Sequence, residues 1–133
     1  MGSKVFSAKL ESLEPAVKFI RSEAEKLGFD KKKINQIELV SEEILVNIIN
    51  YAYPEREGSF EVNCTPEENN ALKVRITDWG VPFNPLSLPD PDVNLPIEER
   101  EIGGLGIYLV RRNVDEVSYE RQNDANILTF VKR

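Results

Sequence analysis

Apolar residues are densest in residues 36–53, QIELVSEEILVNIINYAY. Read as an α-helix, this segment is apolar over most of its circumference, a pattern typical of a helix inside a domain. One line along it is polar and stays within roughly a 60° arc at about 100° per residue. This polar ridge consists of Gln36, Glu43, Asn47 and Asn50. Because buried polar groups need partners, the polar ridge either faces a wet cleft or forms an internal hydrogen-bond network.

The hydrophobic pattern on either side of this segment predicts two further helices and five strands. Apolar and polar residues alternate, as in half-buried strands, over residues 4–10, 59–65, 71–77, 116–121 and 126–132. Helical spacing predicts helices over residues 13–27, 31–53 and 107–113. This order predicts an α+β fold: a two-layer sandwich whose mixed, mostly antiparallel sheet is covered by helices on one face.

Residue types that favour helix termini predict the ends of the first two helices. Ser12 and Asp30 are predicted N-caps, Gly28 ends the first helix and Pro54 ends the second. The DWG turn, residues 78–80, opens a long stretch with little periodicity and five prolines. A loop of this length within a domain is usually a functional lid or a disordered segment, and we assign the lid to residues 82–101.

The composition of the chain excludes several classes of function. The 133 residues predict one domain, residues 1–133, and the net charge of -6 argues against nucleic-acid binding through a basic patch. The absence of histidine excludes His-based triads and most zinc sites. A single cysteine, Cys64, fits a reducing cytoplasm, and no segment reaches the roughly 18 apolar residues of a membrane span.

Glu43 and Asn47 are the first candidates for chemistry. They are four residues apart, so they lie on the same face of the helix. Their oxygens suit magnesium, which takes one or two protein oxygens beside substrate phosphates. A Glu off the metal could instead take a proton from an attacking hydroxyl. The alternative is an internal polar network or a partner surface.

Two other segments could bind a nucleotide. Asp78 at a strand end can accept a hydrogen bond from an exocyclic amine, and Gly80 permits close backbone approach; the alternative is an ordinary turn. Gly103-Gly104-Leu105-Gly106 precedes a predicted helix, where exposed backbone amides bind anions; the alternative is a flexible hinge.

In this order, the segments resemble the GHKL ATPase family, and within it the stand-alone anti-sigma factor serine kinase branch. EEILVN resembles the family's first box, DWG the Asp-x-Gly box, GGLGIYLV the glycine box and NILTFVK the closing strand. The resemblance covers about residues 6–132.

The resemblance implies a role for each matched residue. Asn47 is expected to bind a magnesium ion that bridges the phosphates of ATP, and Glu43 to act as general base for a serine hydroxyl. Asp78 is expected to read the adenine amine, with clearance from Gly80 and support from Thr129. The segment Gly104, Leu105 and Gly106 is expected to contact the nucleotide as the lid closes. We expect that lid to be disordered without nucleotide.

The resemblance also implies a function. It predicts an ATP- and magnesium-dependent serine protein kinase that acts as an anti-sigma or partner-switching regulator and phosphorylates a STAS-domain antagonist. A sigma factor is the second expected partner, and a homodimer is possible. The alternative is a non-catalytic nucleotide switch that sequesters a partner, which Ile102 favours because anti-sigma kinases often carry Arg there. A third hypothesis keeps the fold without the nucleotide, with the polar ridge as an internal network.

Overall fold

The computed structural model describes residues 2–84 and 104–133. Most of the expected lid, and with it the expectation that it is disordered without nucleotide, lies outside these residues, as do Ile102 and Gly103. The strands are β1 (Gly2–Ser7), β2 (Ser59–Glu67), β3 (Ala71–Asp78), β4 (Glu116–Gln122) and β5 (Ala125–Lys132). The helices are α1 (Leu13–Lys26), α2 (Lys31–Asn47) and α3 (Gly104–Asn113), with a short 3-10 turn at Leu10–Ser12 and a π-helical turn at Ile48–Ala52.

The five strands form one sheet in the order β1-β2-β3-β5-β4. Each neighbouring pair is antiparallel. The predicted α+β class is confirmed, with the helices on one face of the sheet. The sheet was expected to be mixed and mostly antiparallel, and the described strands pair only antiparallel. Among the described helices, none combines the length and hydrophobicity needed to cross a bilayer.

Alternation along the strands builds the core. Every second residue of the central strands points to the helices and is almost fully buried: Phe60, Val62, Cys64, Leu72, Val74, Ile76, Leu128 and Phe130. The Phe6 ring stacks on Phe60 with centroids 5.5 Å apart, which extends the core to the edge strand β1. Burying one such side chain contributes about 1.5–3 kcal/mol, so this layer holds the helices on the sheet.

Helix α1 ends and α2 begins through local backbone chemistry. Gly28 has a φ of +82°, a conformation that disfavours side chains, and it terminates α1 as predicted. Asp30 Oδ1 accepts a hydrogen bond from Lys33 N at 2.9 Å, the predicted N-cap of α2. Ser12 precedes α1, but its side chain makes no cap hydrogen bond, because its backbone already follows the preceding 3-10 turn.

The central helix differs from its prediction in two respects. It is α-helical only to Asn47, and residues 48–52 form the π-helical turn rather than a continuation to Tyr53. It is also less enclosed than its composition predicts, since Leu39 and Val46 are half-buried. In a two-layer sandwich a helix packs one face on the sheet, and its remaining circumference meets neighbouring helices, a cleft or solvent.

Helix α3 is fixed at its C-terminal end. Val110 is fully buried, and Lys132 Nζ of β5 donates a hydrogen bond to Asn113 O at 2.8 Å. A cation beside the last carbonyls of a helix also complements the helix dipole. Burial lowers the pKa of Lys132. The sheet thereby sets the position of the helix that begins at the glycine-rich segment.

The DWG turn packs against the π-helical turn. Val81 N donates to Ala52 O at 2.9 Å. A Cβ added at Gly80 would lie 2.1 Å from the same oxygen. Glycine is therefore required here by the close approach of two backbones.

We expect Gly80→Ala to destabilise the fold, because the new methyl group meets a backbone carbonyl that cannot rotate away. The cost should be about 1–3 kcal/mol, the usual range for overpacking. Urea unfolding of the variant and the wild type measures it. An unchanged midpoint would contradict the close approach.

We expect Cys64 to be unreactive in the folded protein. It is 1% exposed, and burial, with a smaller effect from the Glu23 carboxylate, raises the pKa of its thiol from 9.0 to about 12. Since the thiolate is the reactive form, a chromogenic aromatic disulfide at neutral pH should react only after denaturant is added. Rapid stoichiometric reaction without denaturant would contradict this packing.

The same pKa shift predicts a pH dependence of stability. The folded state holds the thiol proton more tightly than the unfolded state, so stability from this group is lost as pH rises from 9.0 towards 12. Cys64→Ala should lose less stability than the wild type over that interval in urea unfolding. Parallel losses in the two proteins would contradict the assignment.

Candidate functional site

A cavity opens between the C-terminal half of the central helix and the sheet. It is narrow and partly open to solvent, with a cavity volume of about 40 Å³. Most of its wall is apolar, with polar groups concentrated at two places. It is lined by Ile44, Asn47, Ile48, Tyr51, Ala52, Ile76, Asp78, Val81, Phe83, Tyr119, Asn126 and Leu128. We call it the helix–sheet cavity.

Exposed apolar side chains surround the mouth of this cavity. Tyr51, Val81 and Phe83 are 48%, 45% and 41% exposed. Contiguous exposed apolar groups are characteristic of binding sites, because they carry a hydration cost that a ligand can remove. The rim and the apolar wall together suit a flat, largely apolar ring.

Asp78 lies at one end of the cavity. It is the last residue of β3 and is 5% exposed. Its Oδ1 accepts hydrogen bonds from Gly80 N and from Asn126 Nδ2, both at 2.9 Å. No described residue donates a hydrogen bond to Oδ2. One carboxylate oxygen thus anchors the side chain, and the other remains for a ligand.

Asn126 is a site residue that the sequence analysis missed. It is paired with Asp78 in the β3–β5 register, so the two side chains are direct neighbours on the same face. Its Nδ2 also donates to Val81 O at 2.8 Å. Its Oδ1 accepts from Tyr119 Oη at 2.6 Å and from Phe83 N at 3.4 Å. Only the strand register identifies this residue.

The outer side of the DWG turn is also held by hydrogen bonds. Arg56 donates to Trp79 O at 2.8 Å, and Arg121 donates to Gly80 O at 2.9 Å. Tyr53 Oη accepts from Trp79 N at 2.8 Å and donates to Ser59 O at 2.6 Å. The turn therefore has hydrogen-bond partners on both sides, which fixes the direction of the Asp78 carboxylate.

The polar ridge reaches the cavity at Asn47. Glu43 lies one turn earlier on the same face and is half-buried. Within residues 2–84 and 104–133, no hydrogen bond or ion pair joins either side chain to another group. For Asn47, this arrangement matches a residue facing a cleft rather than one in an internal network.

The described residues contain no cluster of three or more His, Cys, Asp or Glu side chains that could hold a metal ion. A metal here would have few protein ligands and would need oxygens from a bound ligand. Asn47 supplies one suitable amide oxygen, an arrangement compatible with magnesium, which retains waters and prefers substrate phosphates.

The glycine-rich segment forms the first turn of α3. The sequence pattern predicts that the helix begins after this segment, at residue 107. In the structure the helix begins at Gly104, so Gly104, Leu105 and Gly106 lie within it. Free backbone N–H groups are found in the first turn of any α-helix. The predicted site residues are thus located in a helix N-terminus.

The structure does not bring Thr129 to the cavity, which corrects the sequence-based expectation. Side chains alternate along β5, so Asn126 and Leu128 face the helices whereas Thr129 faces the opposite side of the sheet. Thr129 pairs with Arg75 and Ser118 and lines a separate groove on that side. Asn126 is the residue of β5 that contacts Asp78.

Comparisons with known proteins agree with this geometry. The family described as the histidine kinase-like ATPase domain matches residues 6–132. The serine-protein kinase RsbW of Bacillus mycoides (strain KBAB4) is 27% identical over 109 residues, covering 79% of this chain and 68% of that protein. The protein of the same name from Bacillus cereus (strain G9842) is 28% identical over the same length and coverage.

A solved structure shares the fold. It is the histidine kinase domain from the Erythrobacter litoralis EL346 blue-light activated histidine kinase, with a TM-score of 0.55 and 17% identity. The similarity covers 90% of this chain, which spans 60% of that one. The family match extends over nearly the whole sequence and includes every residue of the helix–sheet cavity. The chain therefore belongs to the histidine kinase-like ATPase domain family.

Proposed function

We propose that this protein is an ATP- and magnesium-dependent serine protein kinase that acts as an anti-sigma or partner-switching regulator. The observation that carries the proposal is the placement of Asn47 and Asp78 on one apolar cavity in a member of an ATPase family. The relatives named serine-protein kinase RsbW support the reaction class.

The adenine ring would occupy the Asp78 end of the helix–sheet cavity. Ile76 and Leu128 of the sheet and Ile44 of α2 supply apolar walls on its two sides. The exocyclic amine would donate to Asp78 Oδ2, the oxygen that no described residue occupies. The tight packing of Gly80 against Ala52 keeps the turn clear of the ring.

The phosphates would extend along α2 towards Asn47, five residues before Ala52. Asn47 and Asp78 line the same cavity, so one ligand could contact both. Asn47 would hold magnesium through its amide oxygen, and the ion would offset the negative charge of the phosphates. Backbone N–H groups of Gly104, Leu105 and Gly106 at the start of α3 would add neutral anion contacts.

Glu43 would act as the general base. It lies one turn from Asn47 on the same face of α2, so it is near the phosphates of a ligand bound at Asn47. A carboxylate there can accept the proton of a serine hydroxyl as the oxygen attacks the terminal phosphate. The remaining residues of the site position and stabilise the ligand.

The substrate we propose is a serine on a STAS-domain anti-sigma antagonist, and the second partner is a sigma factor. Recognition would be between proteins, without direct contact to nucleic acid, as the net charge of -6 suggests. We also propose a cytoplasmic location and leave a homodimer as a possibility within the same regulatory scheme.

Asn47→Ala should weaken ATP binding in the presence of magnesium by about tenfold to a hundredfold or more, because losing even a group that supports a metal ligand lowers metal affinity by about that factor. Titration calorimetry with and without magnesium measures the change. Asn35→Ala, on an exposed position of the same helix, is the matched control and should bind as the wild type does. Equal binding by all three proteins would exclude Asn47 from the site.

Glu43→Gln should leave ATP affinity within about threefold and reduce phosphate transfer to a STAS-domain protein by about 100-fold or more, the usual contribution of a general base. Transfer of labelled phosphate measures the rate. Glu42→Gln, on the neighbouring exposed residue, is the control. Wild-type protein that binds ATP but transfers no phosphate would support the non-catalytic switch instead.

A further inference from the structure

At the Asp78 end of the helix–sheet cavity, the nearby side-chain donors are already used. The two N–H groups of Asn126 point to Asp78 Oδ1 at 2.9 Å and Val81 O at 2.8 Å. A primary amide has two N–H groups, so Asn126 has none left for a ligand. The single O–H of Tyr119 is directed at Asn126 Oδ1 at 2.6 Å.

The backbone donors of the adjoining turn are used as well. Gly80 N donates to Asp78 Oδ1, Val81 N to Ala52 O, and Phe83 N to Asn126 Oδ1. Among the described residues around Asp78, the group left for a ligand is therefore an acceptor, Asp78 Oδ2. This end of the cavity is complementary to a ligand that brings its own donor.

Because of the orientation of the Asn126 amide, the Asp78 end of the cavity offers a ligand a hydrogen-bond acceptor and no donor. If the amide turned over, its oxygen would face Asp78 Oδ1 and Val81 O, and its NH₂ group would face Phe83 N–H. Both juxtapositions are repulsive. Tyr119 makes the shortest contact to the amide oxygen and holds it away from the cavity. The direct neighbour of Asp78 is thus fixed by a residue on a different strand.

We propose that Tyr119 and Asn126 are positioning residues that make the site select a base with an exocyclic amine over a base with a carbonyl at the same place. The inference rests on the proposed binding of ATP. An amine donates to Asp78 Oδ2, whereas a carbonyl oxygen would face the carboxylate with no donor between them. Neither residue needs to contact the base. Both act by orienting the Asp78 carboxylate and by using their own N–H and O–H groups in hydrogen bonds within the protein.

The pair ATP and inosine triphosphate tests this directly, because the latter carries a carbonyl in place of the amine. Calorimetric titration of each nucleotide with magnesium gives the ratio of the two dissociation constants. Wild-type protein should prefer ATP by about thirtyfold or more, since a site with an unsatisfied acceptor rejects the ligand that lacks the donor.

Tyr119→Phe should lower this ratio by about fivefold, because the Asn126 oxygen keeps only its long hydrogen bond from Phe83 and the amide loosens. Asn126→Ala should lower it similarly, because a water molecule in the vacated space can donate to a carbonyl. Ser118→Ala, at the exposed residue next to Tyr119, should keep the wild-type ratio. If Tyr119 and Asn126 only stabilised the fold, their variants would bind both nucleotides more weakly to the same extent, and the ratio of dissociation constants would not change.

The possible results separate the inference from the proposed function. Equal affinity of the wild type for both nucleotides would overturn the inference while ATP binding stands. An unchanged ratio in Tyr119→Phe would also overturn it, and this variant decides alone if Asn126→Ala fails to fold. Failure of the wild type to bind either nucleotide would overturn the proposed function and the inference together.

Discussion

The hydrogen bond between the Asn126 amide and the Asp78 carboxylate is the interaction on which the site depends. It joins two neighbouring strands at the point where β3 ends and the chain turns away from the sheet. The same amide fixes Val81, so the turn and the carboxylate are held by one side chain. Without it, an almost fully buried carboxylate would lose one of the two donors that orient it.

The outer contacts of the turn complete this arrangement. Arg56, Tyr53 and Arg121 hold the backbone of Trp79 and Gly80 from the side opposite the cavity. The π-helical turn brings Ala52 O to Val81 N and leaves no room for a side chain at Gly80. The end of the central helix and the end of β3 are thereby fixed to each other, and the cavity between them has a defined polar end. Such pre-organisation reduces the entropy cost of binding a ligand.

Much of the fold could be predicted from the sequence, because period-two alternation and helical spacing are local signals. The polar ridge was visible for the same reason, since residues four apart share a face in any α-helix. The π-helical turn was not visible, because hydrophobic spacing does not distinguish hydrogen bonds between residues five apart from those between residues four apart. The start of α3 at Gly104 also differs from the pattern, because glycine disfavours helices only moderately and tertiary packing overrides that preference.

The site residues on β5 show why the rest required the structure. The segment NILTFVK is apolar at several successive positions, so alternation alone does not say which residues face the helices. A shift of one residue reverses the face of every side chain. The β3–β5 register pairs Asn126 with Asp78 and turns Thr129 away. Tyr119 was missed for a similar reason, because its partner is Asn126 across the β4–β5 pair.

The measurement that tests the account most directly is a nuclear magnetic resonance titration of labelled protein with magnesium and ATP. The account predicts that the side-chain NH₂ signals of Asn47 and Asn126 and the backbone N–H signal of Gly80 shift together. Signals from the opposite face of the sheet around Thr129 should remain in place. Shifts confined to that opposite face, with those of Asn47, Asn126 and Gly80 unchanged, would contradict the placement of the nucleotide in the helix–sheet cavity.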